Sequence, residues 1–272
     1  MTDAMNIPQI IAAKGQRKLT MLTAYDYPTA CYVDRSRIDM ILVGDSLAMT
    51  VLGMQDTLEV GMWEMLHHTR AVSRAVNYSV LIGDMPFMSY QASVKQAVQN
   101  AGRFLGRGRA QAVKLEGGTS VVPQIKAMVQ AGIPVQGHLG LTPQSAAQFG
   151  GFKVQARDAS AAQRLVEDAQ ALEEAGCFSI VLEAIPAEVA ARVTESVSIP
   201  TIGIGAGVHC DGQVLVIHDL AGLFERFTPK FVKKYANLGQ DLQQALEQFR
   251  QEVQEKSFPG PEHSFYLESK GK

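Results

Sequence analysis

Short apolar runs, rich in residues that favour β-strands, recur along this 272-residue chain. Longer segments with helical periodicity separate most of them, a pattern typical of alternating strands and helices. Because the runs are almost continuously apolar, we expect parallel strands that are covered on both faces. The eight runs begin at Leu19, Asp39, Ser79, Ala112, Ile133, Phe178, Pro200 and Val214.

Five helical segments are predicted between these runs, covering residues 59–76, 93–105, 120–132, 160–176 and 187–197. Gly132 and Gly176 end two of them, as glycines with positive φ commonly do. Eight strand-helix units in this length predict an α/β fold, a (β/α)8 TIM barrel, with a doubly wound open sheet as the alternative. The gap between the seventh and eighth runs is short for a crossover helix. We expect one domain over residues 1–272, with an N-terminal helical cap and a C-terminal helical tail.

Charge and cysteine content narrow the class of protein. The net charge is −2 without a long run of one sign, so no nucleic acid or anionic membrane partner is indicated. Three scattered cysteines without a CxxC pair suggest neither a disulfide framework nor a zinc site. We expect no export leader, because residues 1–17 lack a basic segment followed by an apolar core, and no stretch approaches the roughly 20 apolar residues of a membrane span. We therefore expect a cytoplasmic protein that acts on a small molecule.

Polar residues interrupt the last positions of five consecutive predicted strands. In a parallel barrel the reacting groups stand at the carboxyl ends of the strands, so these residues are expected to share one mouth. They are Asp45, Ser46, Asp84, Lys114, Glu116, His138 and Glu183.

Lys114 and Glu116 lie two residues apart within one predicted strand. Side chains two apart on a strand face the same side, so this pair points together and away from Val113 and Leu115. Buried between sheet and helices, an unpaired charge would cost several kcal/mol. The pair is therefore expected to face the barrel mouth, with a purely structural ion pair as the alternative.

Several carboxylates in one mouth repel one another unless a cation lies among them. Asp45, Asp84 and Glu116 offer oxygen ligands only, which favours Mg²⁺ first and Mn²⁺ second. Such a metal suits chelation of a 2-oxo acid, and Lys114 would add positive charge where an enolate oxygen develops. Glu183, alone at the end of an apolar strand, is the candidate base for proton abstraction next to the carbonyl.

Long, ordered motifs closely resemble the ketopantoate hydroxymethyltransferase family, whose barrel is related to phosphoenolpyruvate mutase and isocitrate lyase. The resemblance spans residues 19–237. Its motifs are MLTAYDYPTA, ILVGDSLAMTVLGMQDTLEV, IGDMPFMSY, AVKLEGG, PVQGHLGLTPQS, GGFKVQAR, IVLEAIP and TIGIGAGVHCDGQVLVIHDLAG.

The resemblance implies transfer of a one-carbon unit from the co-substrate 5,10-methylenetetrahydrofolate to 3-methyl-2-oxobutanoate, giving 2-dehydropantoate for pantothenate biosynthesis. It also implies one Mg²⁺ per subunit and a homodecamer. The resemblance implies that Asp45 and Asp84 ligate the metal and that Glu116 is associated with it directly or through water. It implies that the keto acid is contacted by Asp45, Ser46, Asp84 and Lys114. His138 is implied to form a hydrogen bond with substrate or product, and Glu183 to accept the proton.

Two other functions compete with this interpretation. One is a metal-dependent carbon-carbon lyase or mutase acting on a 2-oxo acid, but the KKCG-type motif expected of such lyases does not occur in the sequence. The other is a non-enzymatic barrel, which is disfavoured because the polar strand ends are all retained.

Overall fold

The structure is a computed structural model that describes residues 4–145 and 153–267. Within these ranges, eight parallel strands close into a barrel in chain order. The strands are β1 (Leu19–Thr23), β2 (Met40–Val43), β3 (Val80–Asp84), β4 (Ala112–Glu116), β5 (Val135–Gly140), β6 (Ser179–Glu183), β7 (Thr201–Ile204) and β8 (Gly212–Leu215). The predicted (β/α)8 barrel is confirmed, and the open sheet is excluded by the pairing of β1 with β8.

The α-helices of the described residues are α1 (Ile7–Ala12), α2 (Tyr27–Arg35), α3 (Leu47–Thr50), α4 (Met62–Ser73), α5 (Val94–Gly106), α6 (Val122–Gln130), α7 (Ala159–Glu174), α8 (Ala187–Ser196), α9 (Ile217–Ala221) and α10 (Leu238–Gln254). All five predicted helical segments are present as α4 to α8. Gly132 and Gly176, which follow α6 and α7, have φ values of +80° and +100°, as their predicted role requires.

Alternate strand residues bury two different faces of the sheet. Outward residues such as Leu81 and Val113 pack with helix residues such as Phe104. Inward residues such as Ile82 and Ala112 form a second cluster inside the barrel. Both faces are therefore apolar, which explains the nearly continuous hydrophobic runs in the sequence.

The N-terminal helix α1 contributes to the interior cluster. Its side chain Ile10 is fully buried with barrel-lining residues such as Met21 and Val80. Asn6 caps α1 by accepting from the backbone N–H of Gln9, whose side chain accepts from the N–H of Asn6. The predicted N-terminal helix is thus held by its cap and by burial of one face.

The last predicted strand is shifted. The apolar run from Val214 predicts a strand through His218 and Asp219, whereas β8 starts earlier, ends at Leu215 and is followed by α9. The N–H of Ile217 donates to Thr23 Oγ1 instead of continuing the sheet. As expected from the short gap between the two runs, no helix joins β7 to β8.

The chain divides into two compact units. The barrel unit holds the described residues up to Ile217 together with Lys230–Val232, and the second unit holds His218–Pro229 and the described residues from Lys233 onward. The second unit contains α10, which lies within the segment predicted as the C-terminal tail. Within the two described ranges, no helix has the length and apolar character needed to cross a membrane. The single-domain description of residues 1–272 stays a prediction.

Candidate active site

The seven residues selected from the strand ends lie at the carboxyl ends of β2 to β6. Lys114, Glu116, Asp84 and Glu183 belong to the strands themselves, and His138 lies opposite Glu116 in the pairing of β4 with β5. Asp45 and Ser46 follow β2 immediately before α3. The alternation of strand side chains thus aims five of these residues into one end of the barrel.

Lys114 and Asp84 form the buried ion pair of the site. Their side chains are 4% and 1% exposed, and Nζ lies 2.9 Å from Oδ1. Burial alone would lower the pKa of Lys114, but the carboxylates of Asp84, Glu116 and Asp45 together raise it above its ordinary value. Lys114 is therefore a permanent cation at the barrel mouth.

Asp45 and Asp84 lie side by side. The backbone N–H of Asp45 donates to Asp84 Oδ2 at 3.0 Å. Burial raises the pKa of Asp45 well above its usual range, and the charges of Asp84 and Glu116 raise it further. Burial also raises the pKa of Asp84, although Lys114 opposes this effect. Each of these carboxyl groups would be stabilised in its charged form by an additional cation.

His138 lies between two carboxylates. Its Nδ1 is 3.3 Å from Glu116 Oε1, and its Nε2 is 3.1 Å from Glu183 Oε2. Burial and the nearby Lys114 ammonium lower the pKa of His138, but the contacts with Glu116 and Glu183 raise it more, to about 9. His138 thus lies within ion-pair distance of both Glu116 and Glu183, and its Nδ1 is also 3.2 Å from Lys114 Nζ.

Glu183 and Ser46 are the more accessible members of the group. The side chain of Glu183 is 17% exposed, whereas those of Glu116 and His138 are almost fully buried. Ser46 is partly buried, and its Oγ lies 2.8 Å from Tyr25 Oη. Burial raises the pKa of Tyr25 to about 12, so its phenol stays protonated beside Ser46.

Gln144 is a central residue of the site that the strand-end pattern does not select. It lies in the short 3₁₀ helix Pro143–Ser145 after β5, and its side chain amide donates to Asp45 Oδ2 at 2.9 Å. Its backbone N–H donates to Glu116 Oε2 at 3.0 Å. The residue appears in the motif PVQGHLGLTPQS, but its role depends on contacts with residues far away in the sequence.

The exit from β4 is built by two glycines that follow Glu116. Gly117 has a φ of +127°, which only glycine adopts without strain. A Cβ on Gly118 would collide with the Asp168 carboxylate, which accepts from the N–H of Thr119. The two glycines thus allow the sharp turn that leaves Glu116 as the last residue of its strand.

The charges of the site fit a divalent cation. Four carboxylates face two cations, Lys114 and His138, so full ionisation leaves two uncompensated negative charges. The donors of Asp45, Asp84 and Glu116 are oxygens only, as hard cations prefer. Nevertheless, residues 4–145 and 153–267 contain no group of three or more His, Cys, Asp or Glu side chains arranged to hold a metal ion. The fit therefore rests on the neighbouring Asp45 and Asp84, with Glu116 linked through Gln144.

A separate cavity of about 450 Å³ opens beside the loop after β3. Phe87, Ser89, Gln96 and Arg103 are among the residues that line it. None of the seven predicted site residues does so, and the cavity is therefore distinct from the acidic mouth.

A closed barrel with acidic and basic side chains gathered at the carboxyl ends of its strands is the arrangement of an enzyme of the (β/α)8 class. Solved structures share this fold: a phosphonopyruvate hydrolase aligns with a TM-score of 0.62 at 13% identity, over 97% of this chain and 92% of that one. A 2,3-dimethylmalate lyase aligns with a TM-score of 0.58 at 15% identity, over 96% and 91%. At these identities the likeness concerns the fold alone.

Closer relatives define the family. Residues 4–261 match the family model described as ketopantoate hydroxymethyltransferase. The chain is 67% identical to a 3-methyl-2-oxobutanoate hydroxymethyltransferase of Syntrophobacter fumaroxidans, over 97% of this chain and 94% of that protein. It is 57% identical to a protein of the same name from Moorella thermoacetica, over 96% and 97%. The chain belongs to the ketopantoate hydroxymethyltransferase family and is a transferase.

Proposed function

We propose that this enzyme transfers a hydroxymethyl group from 5,10-methylenetetrahydrofolate to 3-methyl-2-oxobutanoate, forming 2-dehydropantoate for pantothenate biosynthesis. The keto acid is part of the name of relatives that are 57% and 67% identical. The folate donor is the one that the family resemblance implies. The structural observation behind the proposal is the contact of Glu183 Oε2 with His138 Nε2 at the rim of a mouth that also contains the Lys114 ammonium.

Glu183 is the proposed base that removes the C3 proton of the keto acid. It is the most exposed of the four site carboxylates and the one held by His138 Nε2. We expect this 3.1 Å contact to orient the Glu183 carboxylate, as a positioned base requires. The C3 carbanion then forms the new carbon-carbon bond to the one-carbon unit, whose bonds to the two folate nitrogens break. Water supplies the hydroxyl oxygen, and tetrahydrofolate is the leaving product.

Lys114, Ser46 and His138 are the proposed substrate-binding groups beside Asp45 and Asp84. The Lys114 ammonium is buried and permanently charged, so it stabilises negative charge that develops on the keto oxygen. Ser46, oriented by Tyr25 Oη, offers a hydroxyl to the substrate carboxylate. His138 is the proposed hydrogen-bond donor to substrate or product.

The proposed metal is one Mg²⁺ per subunit, held by Asp45 and Asp84 and associated with Glu116 directly or through water. Its support is the oxygen-only donor set and the excess negative charge of the site. When bound, the ion supplies Lewis-acid polarisation of the keto group. Asp45 and Asp84 would hold the ion beside the Lys114 ammonium, which pairs with Asp84 Oδ1.

The homodecamer and the cytoplasmic location are proposed from the resemblance and from the cysteine content. Helix α10 supports association between subunits, because it exposes an apolar stripe in the described chain. The stripe consists of Leu242, Leu246, Phe249 and Val253, spaced three or four residues apart. Exposed stripes of this kind often mark interfaces.

Hydrogen exchange at C3 tests the proposal without the folate. In deuterated water with Mg²⁺, the wild-type enzyme is expected to exchange the C3 hydrogen of 3-methyl-2-oxobutanoate, observed by proton NMR. Glu183→Gln removes the base while keeping the shape of the side chain, so exchange should be abolished and keto-acid binding retained. Chelation of the metal should also stop exchange.

Glu188→Gln is the matched control, because Glu188 is exposed in the first turn of α8. This variant should exchange at the wild-type rate. Exchange at that rate in Glu183→Gln would remove Glu183 from the role of base. A wild-type enzyme that exchanges nothing would contradict the proposed chemistry as a whole.

A further inference from the structure

Gln144 connects the carboxylates of the site to the loop after β5. It makes contacts through its side-chain amide nitrogen, its side-chain oxygen and its backbone nitrogen. The side chain is buried, and the residue's partners come from the segments that follow β2 and β3 and from the last residue of β4.

The amide of Gln144 is held in one orientation. Its Nε2 donates to Asp45 Oδ2 at 2.9 Å and to the carbonyl oxygen of Met85 at 3.0 Å. Its Oε1 lies 2.9 Å from the Tyr90 hydroxyl and accepts from Gln91 Nε2 at 3.3 Å. Reversing the amide would place oxygen against the Asp45 carboxylate and the Met85 carbonyl, so these two acceptors require the nitrogen on their side.

Tyr90 extends the same network to Glu116. Its hydroxyl accepts from the backbone N–H of Glu116 at 3.2 Å, so the end of β4 and the Gln144 amide share one phenol oxygen. The Tyr90 hydroxyl also lies 3.1 Å from the carbonyl oxygen of Glu116. Tyr90 and Gln144 thus form one buried unit between Asp45 and Glu116.

Gln144 also determines which carboxylate oxygens are engaged within the protein. It occupies Asp45 Oδ2 through its side chain and Glu116 Oε2 through its backbone N–H. The other Glu116 oxygen, Oε1, faces His138. One residue therefore fixes the rotation of two of the three proposed metal-binding carboxylates.

We infer that Gln144 is a positioning residue that orients Asp45 and Glu116 for a divalent cation. This inference rests on the proposed metal-assisted function. Hydrogen-bond partners of metal ligands commonly control affinity, and their loss costs about 10- to 100-fold in metal binding or activity. Gln144 meets this description for two ligands, whereas a merely structural glutamine would affect stability alone.

The test compares Mn²⁺ binding and C3 hydrogen exchange in wild type and in Gln144→Met. Methionine has similar length but lacks the amide, while the backbone N–H to Glu116 remains. We expect Mn²⁺ affinity, measured by calorimetry, to fall about 10- to 100-fold, and exchange at saturating keto acid to slow. Raising the Mn²⁺ concentration should recover part of the lost exchange rate, which a loss of stability would not explain.

Gln124→Met is the control for burial, because Gln124 is a buried glutamine that contacts the backbone of Tyr90 at 3.5 Å but no site carboxylate. It should keep wild-type Mn²⁺ affinity even if its melting temperature falls. Tyr90→Phe provides a second arm should Gln144→Met fail to fold. It removes the hydroxyl beside the Gln144 oxygen and should weaken Mn²⁺ binding by a smaller factor, on the order of threefold.

Two results would overturn the inference, and they can be told apart. The first is that Gln144→Met binds Mn²⁺ and exchanges the C3 hydrogen as the wild type does; if only Tyr90→Phe folds, the same result in that variant counts. This result would reject the role of Gln144 and leave the proposed function intact. Failure of the wild-type protein to bind Mn²⁺ would reject the proposed metal and the inference with it.

Discussion

At the scale of single residues, the side-chain alternation of β4 explains why a strand of the core contains Lys114 and Glu116. Both point into the barrel mouth, while Val113 and Leu115 pack against the helices. Lys114 pairs with Asp84, and Glu116 contacts His138. The two charges therefore have separate partners, and the ion pair that stabilises Lys114 connects β4 to β3.

The first prediction concerns the charge of Lys114. Lys114→Ala should slow C3 hydrogen exchange by on the order of 10²-fold or more, because a preorganised cation beside a developing oxyanion contributes at least this much. Lys126→Ala, an exposed lysine of α6, should exchange normally. The exchange assay described above measures both. If the exchange rate of Lys114→Ala fell by less than about threefold, the lysine would serve only to neutralise the charge of Asp84.

The site residues that could be predicted from the sequence are those whose positions follow from the strand in which they lie. Strand alternation and strand ends were enough to bring out Lys114, Glu116 and Glu183. Gln144 was not found, because its contact with Asp45 spans 99 positions and follows a turn rather than a strand. Tyr90 looks like an ordinary core aromatic in the sequence, and only its hydrogen bonds distinguish it.

At the scale of elements, helices and strands were predicted correctly where their buried apolar residues recur with the helical or strand period. Helix α2 is missing from the predicted set, because Tyr27 and Tyr32 are 52% and 70% exposed whereas Asp34 is buried. The Asp34 carboxylate accepts from the backbone N–H groups of Asn77, Tyr78 and Ser79, so its burial is compensated. Such a reversal of the apolar pattern depends on tertiary contacts and leaves little trace in the sequence.

The second prediction concerns the burial of helix α1. Ile10 is fully buried in the interior cluster, whereas its neighbour Ile11 is 39% exposed. Ile10→Ala should lower the free energy of unfolding by about 2–5 kcal/mol, since it leaves a cavity in a packed region. Ile11→Ala should lower it by less than about 1 kcal/mol. Urea unfolding followed by circular dichroism compares the two, and equal losses would mean that α1 does not contribute to the core in solution.

At the scale of the whole molecule, the two ends of the barrel use charge differently. The carboxyl-terminal mouth carries an excess of carboxylates, whereas Asp39, just before β2, is neutralised. Arg17 donates to both Asp39 oxygens, at 2.6 and 3.0 Å, and Thr20 donates through its N–H and its hydroxyl. This buried carboxylate therefore has the partners that a stabilising role requires. The charges at the end that holds α1 and Asp39 are paired and stabilise the fold, whereas the excess carboxylates at the mouth are available for catalysis.

The last prediction is that the contribution of Asp39 to stability depends on pH. Burial acts to raise the pKa of Asp39, but Arg17 and Thr20 outweigh it and hold the pKa below its ordinary value of 3.8. A carboxyl whose pKa is lower in the folded state stabilises the fold fully above the unfolded pKa, and this contribution is lost as pH falls through the folded pKa. Asp39→Asn should therefore lower the free energy of unfolding by about 1–3 kcal/mol at neutral pH.

The difference between wild type and Asp39→Asn should narrow progressively as pH falls below about 3.8, because the wild-type carboxyl then also loses its charge. Urea midpoints measured at neutral pH and at successively lower pH values test this expectation. Asp241→Asn, an exposed position on α10, should match wild type throughout. If Asp39→Asn lowered the free energy of unfolding by the same amount at neutral and at acidic pH, side-chain shape and neutral hydrogen bonds, rather than the charge of Asp39, would stabilise this end of the barrel.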